Sequence, residues 1–336
     1  MEKYIGIDIS KESLQVHVPE EGLDWVVPND LKGMKSLWMK LKKRFKKESQ
    51  NLVFIFEATG SYSYRLKKFC AEKSVRCFIV NPRQSANFAK AQGERNKSDP
   101  IDARLLASIH VVAGPGQIKV PEINEEVELL KEYMSYYKFI QSQRTRYENQ
   151  LESAQAKGNV VPLVRRLQKE VERLKREEQE ILNQLKESVD ASSELSKHFE
   201  HITSLKGVGD VAGLALLHLF LKYPDTNRKQ IIALAGLDTV SETSGKSVKR
   251  KGKISKQGCK LYRSILFMPA LISINHNAEL RAMYARLKAN GKHSTLAQIA
   301  IMRKIIIITH ALFKNGEKYD ETRYLAANEK EEEKAA

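Results

Sequence analysis

The first third of the chain alternates short apolar runs with longer segments of helical period. Three runs rich in apolar and β-branched residues come first, and with the turn-like PEEG they predict an antiparallel meander: YIGIDIS (4–10), LQVHV (14–18) and DWVV (24–27). The elements predicted next are a helix around 30–46, the buried strand NLVFIFE ending at Glu57, a helix over 61–73, a strand over 76–80 and helices over 83–92 and 99–111. This order predicts an α/β domain.

The middle of the chain, from about 121 to 200, is polar and nearly free of strand signals. The segment LVRRLQKEVERLKREEQEILNQL carries apolar residues at alternating spacings of three and four, with Glu178 in one slot: Leu167, Val171, Leu174, Ile181 and Leu185. That spacing predicts a coiled-coil-like seam, and AKGNVVP (156–162) predicts a break between two long helices. Such a region can act only as a solvated helical hairpin that separates two domains, or it can also pair subunits.

The last third predicts a mainly helical unit with Gly-rich breaks, so the fold class is α/β plus α. The predicted domains are 1–115 (α/β, catalytic), 116–200 (helical connector), 201–322 (C-terminal domain) and 323–336 (charged, disordered tail). The longest apolar runs, VAGLALLHLFL and IIII, are too short for a membrane-spanning helix, so no membrane partner is expected.

Composition changes this picture in two ways. Lys and Arg outnumber Asp and Glu by 57 to 41, a net charge of +16, which favours a polyanionic partner such as nucleic acid. Three cysteines, without a CxxC pair or an even disulfide framework, favour a reduced, cytoplasmic protein, and the N-terminus resembles no signal peptide.

Two carboxylates interrupt apolar strands. Asp8 lies inside YIGIDIS, and Glu57 ends NLVFIFE just before ATGSY. Burying even a milder polar group without a partner costs about 2–7 kcal/mol, so such acids are normally paired, hydrogen-bonded or bound to metal. The plainer alternative for Asp8 is a cap at the exposed end of the strand.

Two further acids, Asp99 and Asp102, lie in NKSDPIDARLLA. Because they are three residues apart, they face the same way on a helix, and Pro100 suits its first turn. Taken alone, Asp99 is an ordinary N-cap and Asp102 an ordinary first-turn acid.

As a set, the four acids point to metal chemistry. Four clustered carboxylates cannot all remain ionised without cations between them. Two divalent ions about 3.5–4 Å apart would hold them and bind phosphate oxygens, and oxygen ligands favour Mg²⁺ or Mn²⁺. Lys97 and Arg104 lie nearby in sequence and are candidates to neutralise a phosphodiester.

The motifs YIGIDIS, FEATGSY, NPRQSANFAKA and NKSDPIDARLLA together resemble the DEDD transposases of the IS110 family of bacterial insertion sequences. These are bridge-RNA-guided recombinases related to the pilin-gene invertases. The resemblance implies a RuvC-like fold of the ribonuclease-H type, which the order of strands and helices also matches. It further implies that Asp8, Glu57, Asp99 and Asp102 bind Mg²⁺.

The C-terminal unit opens on ITSLKGVGDVAGLALLHLF, in which Gly207 and Gly209 separate two helical stretches. This pattern is similar to a helix-hairpin-helix, whose backbone N–H groups hold a phosphate. A plain helix-breaking turn is an equally good interpretation.

A basic run follows, with eight Lys or Arg and no acid between Gly245 and Arg263. Phosphate backbone is the natural partner of such a run. The candidate nucleic-acid-binding residues are Lys246, Lys249, Arg250, Lys251, Lys253, Lys256, Lys260 and Arg263.

The same segment resembles the second hallmark of the IS110 family. It contains Gly236-Leu237, Ser244-Gly245 and ISKQG (254–258), and LAQIAIMRKIIIITHALF resembles the family's closing helix. The resemblance implies that Ser244 is the DNA-cleaving nucleophile. The chain departs from the pattern at Thr239, where proline is usual, and at Tyr262, where leucine is usual.

Composition alone leaves Ser241, Thr243 and Ser247 as eligible as Ser244, and a loop serine needs no chemical role. Attack by serine on a phosphodiester gives a phosphoserine and a free 3′-hydroxyl, so strands can be rejoined without ATP. Three basic residues are candidates to stabilise the phosphorane: Lys246, Lys249 and Arg250.

A serine hydroxyl needs a base or a metal to act. No general base is obvious beside Ser244 in the sequence, so the acids and the serine are expected to form one composite site. The resemblance implies that its two parts come from different subunits of a homodimer or homotetramer.

The sequence therefore predicts a transposase that cuts and rejoins DNA at its element ends and target, guided, as the resemblance implies, by a structured RNA. One alternative is a metal-dependent RuvC-like nuclease or junction resolvase that hydrolyses DNA with water and does not need Ser244. Another is a non-catalytic nucleic-acid-binding protein.

Overall fold

The computed structural model describes residues 2–58, 60–93, 98–158, 161–240, 243–244, 248–249 and 252–322, with the backbone alone at 243, 244, 248 and 249. The predicted tail, 323–336, lies outside the described residues. Backbone packing divides the chain into two units, 1–124 and 125–336. The predicted connector therefore falls mostly in the second unit, and its separation as a domain stays a prediction.

In the described part of the first unit, five strands form one sheet with helices on both faces. Its elements are β1 (Lys3–Ile9), β2 (Ser13–Val18), β3 (Leu23–Pro28), α1 (Leu31–Phe45), β4 (Leu52–Glu57), α2 (Gly60–Glu72), β5 (Arg76–Val80), α3 (Pro82–Ala91) and α4 (Asp99–Ser108). The strand order is β3-β2-β1-β4-β5. Strand β2 is antiparallel to β1 and β3, whereas β1, β4 and β5 are parallel. The predicted meander and the α/β order are confirmed.

Alternation along the strands builds a separate core on each face of this sheet. On β1, Ile5 and Ile7 pack with residues of α1 and α2. On β4, Val53 and Ile55 point to the other face and pack with Leu106 of α4. Helices therefore pack on both faces of the sheet.

The described part of the second unit is mainly helical, as predicted. Its elements are α5 (Glu125–Lys157), α6 (Val161–Asp190), α7 (Ser193–Thr203), α8 (Asp210–Lys222), α9 (Arg228–Leu234), β6 (Thr239–Val240), β7 (Thr243–Ser244), β8 (Val248–Lys249), β9 (Lys253–Ile254), α10 (Lys260–His276), α11 (Ala278–Ala289) and α12 (Ser294–Asn315). The four short strands were not predicted from the sequence.

Helices α5 and α6 form a hairpin, with the break where AKGNVVP predicts it. All five apolar residues of the predicted seam are buried on α6. The polar slot is filled by Glu178, whose Oε1 lies 2.6 Å from Nε of Arg144 on α5. The seam thus packs within one chain, and a coiled coil between subunits stays a prediction.

Helix α12 contains the IIII run and is long and apolar enough to cross a membrane. The expectation that no apolar run reaches that length was therefore wrong. Half of its most apolar window is buried inside the protein, and Ile301, Ile305 and Ile306 lie in the core of the second unit. This burial is typical of a core helix.

Candidate carboxylate centre and serine ribbon

Asp8 and Glu57 lie next to each other in register at the carboxyl ends of two parallel strands. The pairing of β1 with β4 runs as far as Ile7 opposite Phe56, and Asp8 and Glu57 are the next residue of each strand. Residues at the same register of neighbouring strands point to the same face of a sheet. Both carboxylates therefore point to the face that α4 covers.

Gly6 lets α4 lie directly on that face. A Cβ atom at Gly6 would lie 2.0 Å from the carbonyl oxygen of Ala103 and 2.5 Å from the amide nitrogen of Ala107. Helix α4 therefore contacts the backbone of β1, and its first turn, with Asp99 and Asp102, comes to the end of the strand that carries Asp8.

The four carboxylates lie within electrostatic reach of one another. Burial, together with repulsion from Asp102, Asp99 and Glu57, raises the pKa of Asp8 to about 6 against the opposing effect of a hydrogen bond from the amide of Ile9. Asp8 is half-buried and Asp99 is exposed, so the centre opens toward solvent.

Glu57 is oriented by a hydroxyl that sequence reasoning missed. The buried Ser85 of α3 donates its Oγ hydrogen toward Glu57 Oε2 at 2.6 Å and lies 3.1 Å from the carbonyl oxygen of Pro82. Asn81 caps α3 by accepting a hydrogen bond from the amide of Arg83. The signal for Ser85 was its place in NPRQSANFAKA, one turn after an Asn-Pro helix start.

Sequence reasoning also missed Gly6. Its signal was a glycine inside an otherwise apolar strand, which often marks a site where another backbone approaches closely.

The donor set of this centre suits a hard divalent cation. Among the described residues, no group of three or more His, Cys, Asp or Glu side chains is arranged to hold a metal ion as the side chains stand. The four acids nevertheless offer carboxylate oxygens alone, which Mg²⁺ and Mn²⁺ prefer. The repulsion that raises the pKa of Asp8 is what a cation between the acids would remove.

Arg104, predicted to neutralise a phosphodiester, pairs with an acid of the sheet. Its Nη2 lies 2.5 Å from Oδ2 of Asp24, whose Oδ1 lies 2.8 Å from Nδ1 of His17. The Arg104 side chain remains 57% exposed. A nucleic-acid contact by Arg104 stays a prediction, and Lys97 lies outside the described residues.

In the second unit, Ser244 belongs to one of two short antiparallel ladders within residues 239–254, a segment here named the serine ribbon. Its base is formed by β6 and β9, with Thr239 opposite Ile254, and its outer part by β7 and β8, with Ser244 opposite Val248. Among the described residues of β7, both Thr243 and Ser244 are paired with β8.

Several predicted residues of the ribbon cannot be placed fully. The side chains of Ser244 and Lys249 lie outside the described residues, as do Lys246, Arg250 and Lys251 entirely.

Four of the predicted nucleic-acid-binding residues have described side chains. Lys253, Lys256 and Lys260 are exposed, as a phosphate-binding role requires. Arg263 is half-buried, and its Nη1 donates to the carbonyl oxygens of Ala235 and Gly258 at 3.1 and 2.8 Å. Binding of nucleic acid by these four stays a prediction.

The turn between α7 and α8 contains Gly207 and Gly209. Gly207 has a φ of +100°, and a Cβ atom there would lie 2.1 Å from Oγ of Ser273 on α10. Gly209 caps α8 and would have open space around a Cβ atom. The fold therefore requires glycine at position 207, and phosphate binding at the turn stays a prediction.

Tyr262, one of the two departures from the family resemblance, has a polar partner in the core. Its hydroxyl lies 2.8 Å from Nδ1 of His218 on α8, and both side chains are buried. Burial, assisted by Lys222, lowers the pKa of His218 to about 4. The histidine is therefore neutral at pH 7, and its unprotonated nitrogen can accept the tyrosine hydrogen bond.

Two family models match the two regions that contain the candidate residues. Residues 5–155, with all four acids, match a family model of IS110-type DEDD transposases that is described as a transposase. Residues 199–285, with the serine ribbon, match the model of the transposase IS116/IS110/IS902 family.

The chain is also similar to the pilin gene-inverting proteins of Moraxella bovis and Moraxella lacunata. It is 27% identical to each over 327 residues, which cover 94% of this chain and 97% of each relative. The predicted terms transposase, insertion sequence and DNA recombination are thereby confirmed. The chain belongs to the IS110 family of transposases, enzymes of DNA recombination.

Proposed function

We propose that this transposase cuts and rejoins DNA through a phosphoserine intermediate on Ser244, with assistance from a divalent cation held by Asp8, Glu57, Asp99 and Asp102. The convergence of the four acids at the carboxyl ends of β1 and β4 carries the metal part of this proposal. The place of Ser244 on a paired strand within a segment rich in lysine and arginine supports the serine part.

The acid centre has the features that a cation site for phosphate chemistry needs. Glu57 is held by Ser85, and Asp8 is half-buried among like charges that raise its pKa. When bound there, Mg²⁺ or Mn²⁺ would act as a Lewis acid toward phosphate oxygens. The four carboxylates would bind the cation and fix its position against the sheet.

The serine step conserves the energy of the phosphodiester bond. Oγ of Ser244 attacks phosphorus and loses its proton, the bond to the 3′-oxygen breaks, and that oxygen leaves as a hydroxyl. In the reverse step the 3′-hydroxyl of an exchanged strand attacks the phosphoserine and releases Oγ. No water is consumed, so the reaction exchanges strands without hydrolysing them.

The partners follow from charge and from the relatives. Exposed lysines on and beside the ribbon, Lys253, Lys256 and Lys260, are placed to bind the DNA backbone at element ends and target. The Moraxella relatives are named for inverting a gene, which supports DNA rearrangement. A structured guide RNA and assembly as a homodimer or homotetramer complete the proposal.

Detection of a covalent protein–DNA adduct tests this function. Purified protein would be incubated with Mg²⁺, the element's RNA and end-labelled junction DNA, and resolved on a denaturing gel. We expect an adduct with the wild type and none with Ser244→Ala or Asp8→Ala, each checked for folding by circular dichroism. Ser247→Ala, a serine in the same segment, is the matched control and should keep the adduct.

The two alternatives give different patterns on the same gel. Cleavage without an adduct that survives Ser244→Ala would establish a hydrolysing nuclease and refute the serine mechanism. Binding without cleavage under Mg²⁺ or Mn²⁺ would indicate a non-catalytic nucleic-acid-binding protein.

A further inference from the structure

The segments that lead into and out of the serine ribbon are in direct backbone contact. A Cβ atom on Gly258 would lie 2.3 Å from the amide nitrogen of Gly236 and 2.1 Å from the carbonyl oxygen of Leu234. Gly236 has a φ of +68°, and a Cβ atom there would lie 2.7 Å from the amide nitrogen of Gly258. Glycine at both positions is therefore what allows the outgoing and returning segments to touch.

One arginine side chain binds both of these segments. Nη1 of Arg263 donates to Ala235 on the outgoing segment at 3.1 Å, and to Gly258 and Cys259 on the returning segment at 2.8 and 3.4 Å. A Cβ atom at Gly236 would lie 2.2 Å from the same nitrogen, so the guanidinium fits into the space that glycine leaves. Hydrogen bonds from a charged donor are stronger than those between neutral groups.

Further hydrogen bonds join the outgoing and returning segments next to the arginine. The amide of Ser255 donates to the carbonyl oxygen of Asp238 at 2.8 Å, and the hydroxyl of Ser255 donates to the Asp238 carboxylate. The amide of Lys256 donates to Gly236 at 3.2 Å. Leu237, between these contacts, is fully buried in the core of the unit. The ribbon therefore leaves the core from a base fixed on both strands.

We infer that Arg263 is a positioning residue, which holds the base of the ribbon so that Ser244 is presented in one direction. It was predicted to bind nucleic acid, but its Nη1 already donates to carbonyl oxygens of the protein. The inference gives the Gly-Leu, the ISKQG and the following arginine one shared structural role. The positioning role rests on the proposed function of Ser244, but the contacts at the base of the ribbon are independent of that function.

Limited trypsin digestion of the full-length protein tests the structural half. The backbone of Lys253 is paired with that of Val240, and a protease cuts a paired strand readily only after the pairing has opened. We expect Arg263→Ala to increase cleavage within 246–256 several-fold and Arg263→Lys to increase it less, because lysine lacks the fork that spans two strands. Cleavage sites would be assigned by mass spectrometry.

Arg281→Ala is the matched control. Arg281 also donates to backbone carbonyl oxygens, those of Ile274 (3.3 Å) and Asn275, but at the opposite end of α10. Its loss should lower the melting temperature without exposing the ribbon. Unchanged ribbon cleavage in Arg263→Ala, at a temperature where both variants are folded, would overturn the inference.

The functional half is tested by separating DNA affinity from the rate of adduct formation. For Arg263→Ala we expect the rate at saturating DNA to fall about 10- to 100-fold, as for a displaced reacting group. The Kd for DNA and its salt dependence should not change. Added guanidinium ion should restore part of the rate in Arg263→Ala and none in Ser244→Ala.

A phosphate contact by Arg263 would give the reverse result. The Kd would then rise, and the slope of log K against log salt would shrink by about 1 with the saturated rate intact. If the wild type formed no adduct, the proposed function of Ser244 would fail, and the trypsin result would still decide the role of Arg263 at the base.

Discussion

The carboxylate centre and the serine ribbon are held in place by different means. Asp8 and Glu57 belong to paired strands with a continuous register, and α4 adds two acids from one helical turn. In the part of the ribbon that the structure describes, the ladders are two residues long, and its base depends on close backbone contacts such as that of Gly236 with Gly258. Periodic elements carry the first site, and specific tertiary contacts carry the second.

The largest effect on DNA cleavage is expected from a substitution in the carboxylate centre. Asp8→Asn should lower the rate of DNA strand cleavage by more than the roughly 10- to 100-fold that is typical when a residue that only orients a metal ligand is lost. The same change should raise the melting temperature without metal, because burial and like charges disfavour the Asp8 carboxylate. Differential scanning calorimetry with and without Mg²⁺ would measure both stability and cation binding.

Asp24→Asn is the control with the opposite sign. Hydrogen bonds from Arg104 and His17 lower the pKa of Asp24, so loss of its charge should slightly lower stability. It should leave the Mg²⁺-induced rise in melting temperature intact. A Mg²⁺ response that persists in Asp8→Asn would contradict a role for Asp8 in binding the cation.

Gly6→Ala should have the next largest effect, since it separates α4 from the sheet. The added methyl group would meet the backbone of Ala103 at 2.0 Å, and neither side can move without shifting the helix. We expect a loss of about 1–3 kcal/mol in the free energy of unfolding, measured by urea denaturation, and a lower cleavage rate.

Gly22→Ala distinguishes this clash from the general cost of replacing a glycine. Gly22 has a φ of +61° and nothing within 4 Å of an added Cβ atom. Its replacement should cost only about 1 kcal/mol through backbone strain and leave cleavage unchanged. Equal losses of activity in the two variants would show that the contact of α4 with β1 does not position the acids.

Ser85→Ala should have a smaller effect, confined to the orientation of Glu57. Loss of the 2.6 Å hydrogen bond should reduce the cleavage rate by about 10- to 100-fold, as for other residues that orient a metal ligand, and weaken Mg²⁺ binding. Ser85→Thr keeps the hydroxyl and should recover part of the activity. Full activity in Ser85→Ala would mean that Glu57 needs no such support.

The sequence predicted the first site better than the second for physical reasons. The sequence predicted strand 76–80 with its observed bounds. It also selected the four acids from their placement on apolar strands and one helical turn, and their role in binding a metal stays a prediction. Gly6 and Ser85 were missed because their roles depend on contacts between separate elements, that of β1 with α4 and that of α3 with β4. The contacts of Arg263 with backbone carbonyl oxygens were missed because a run of charge does not show where each side chain points.

The smallest expected effect concerns the buried pair beneath the ribbon, Tyr262 and His218. Tyr262→Phe removes the hydroxyl and leaves Nδ1 of His218 buried without this partner, which should cost about 1–3 kcal/mol of unfolding free energy. If this anchor of α10 supports the base of the ribbon, trypsin cleavage within 246–256 should rise slightly in the same variant. Unchanged cleavage would mean that the base stands without the anchor.

The hydrogen bond from Tyr262 to His218 should also be visible in how stability depends on pH. His218 has a pKa of about 4 in the folded protein, below its usual value, because of burial and the nearby Lys222 and Lys131, with Glu128 opposing. The folded state therefore binds fewer protons than the unfolded state between about pH 6.5 and pH 4, so stability is complete above about pH 6.5 and is lost as the pH falls toward 4. His310, whose pKa is also about 4, adds to this loss in wild type and variant alike. Urea midpoints measured from pH 7.5 to 4 should thus fall more steeply in the wild type than in Tyr262→Phe, because the tyrosine hydrogen bond favours the neutral ring of His218. Parallel curves would show that the hydroxyl does not donate to His218, and that Tyr262 supports α10 by packing alone.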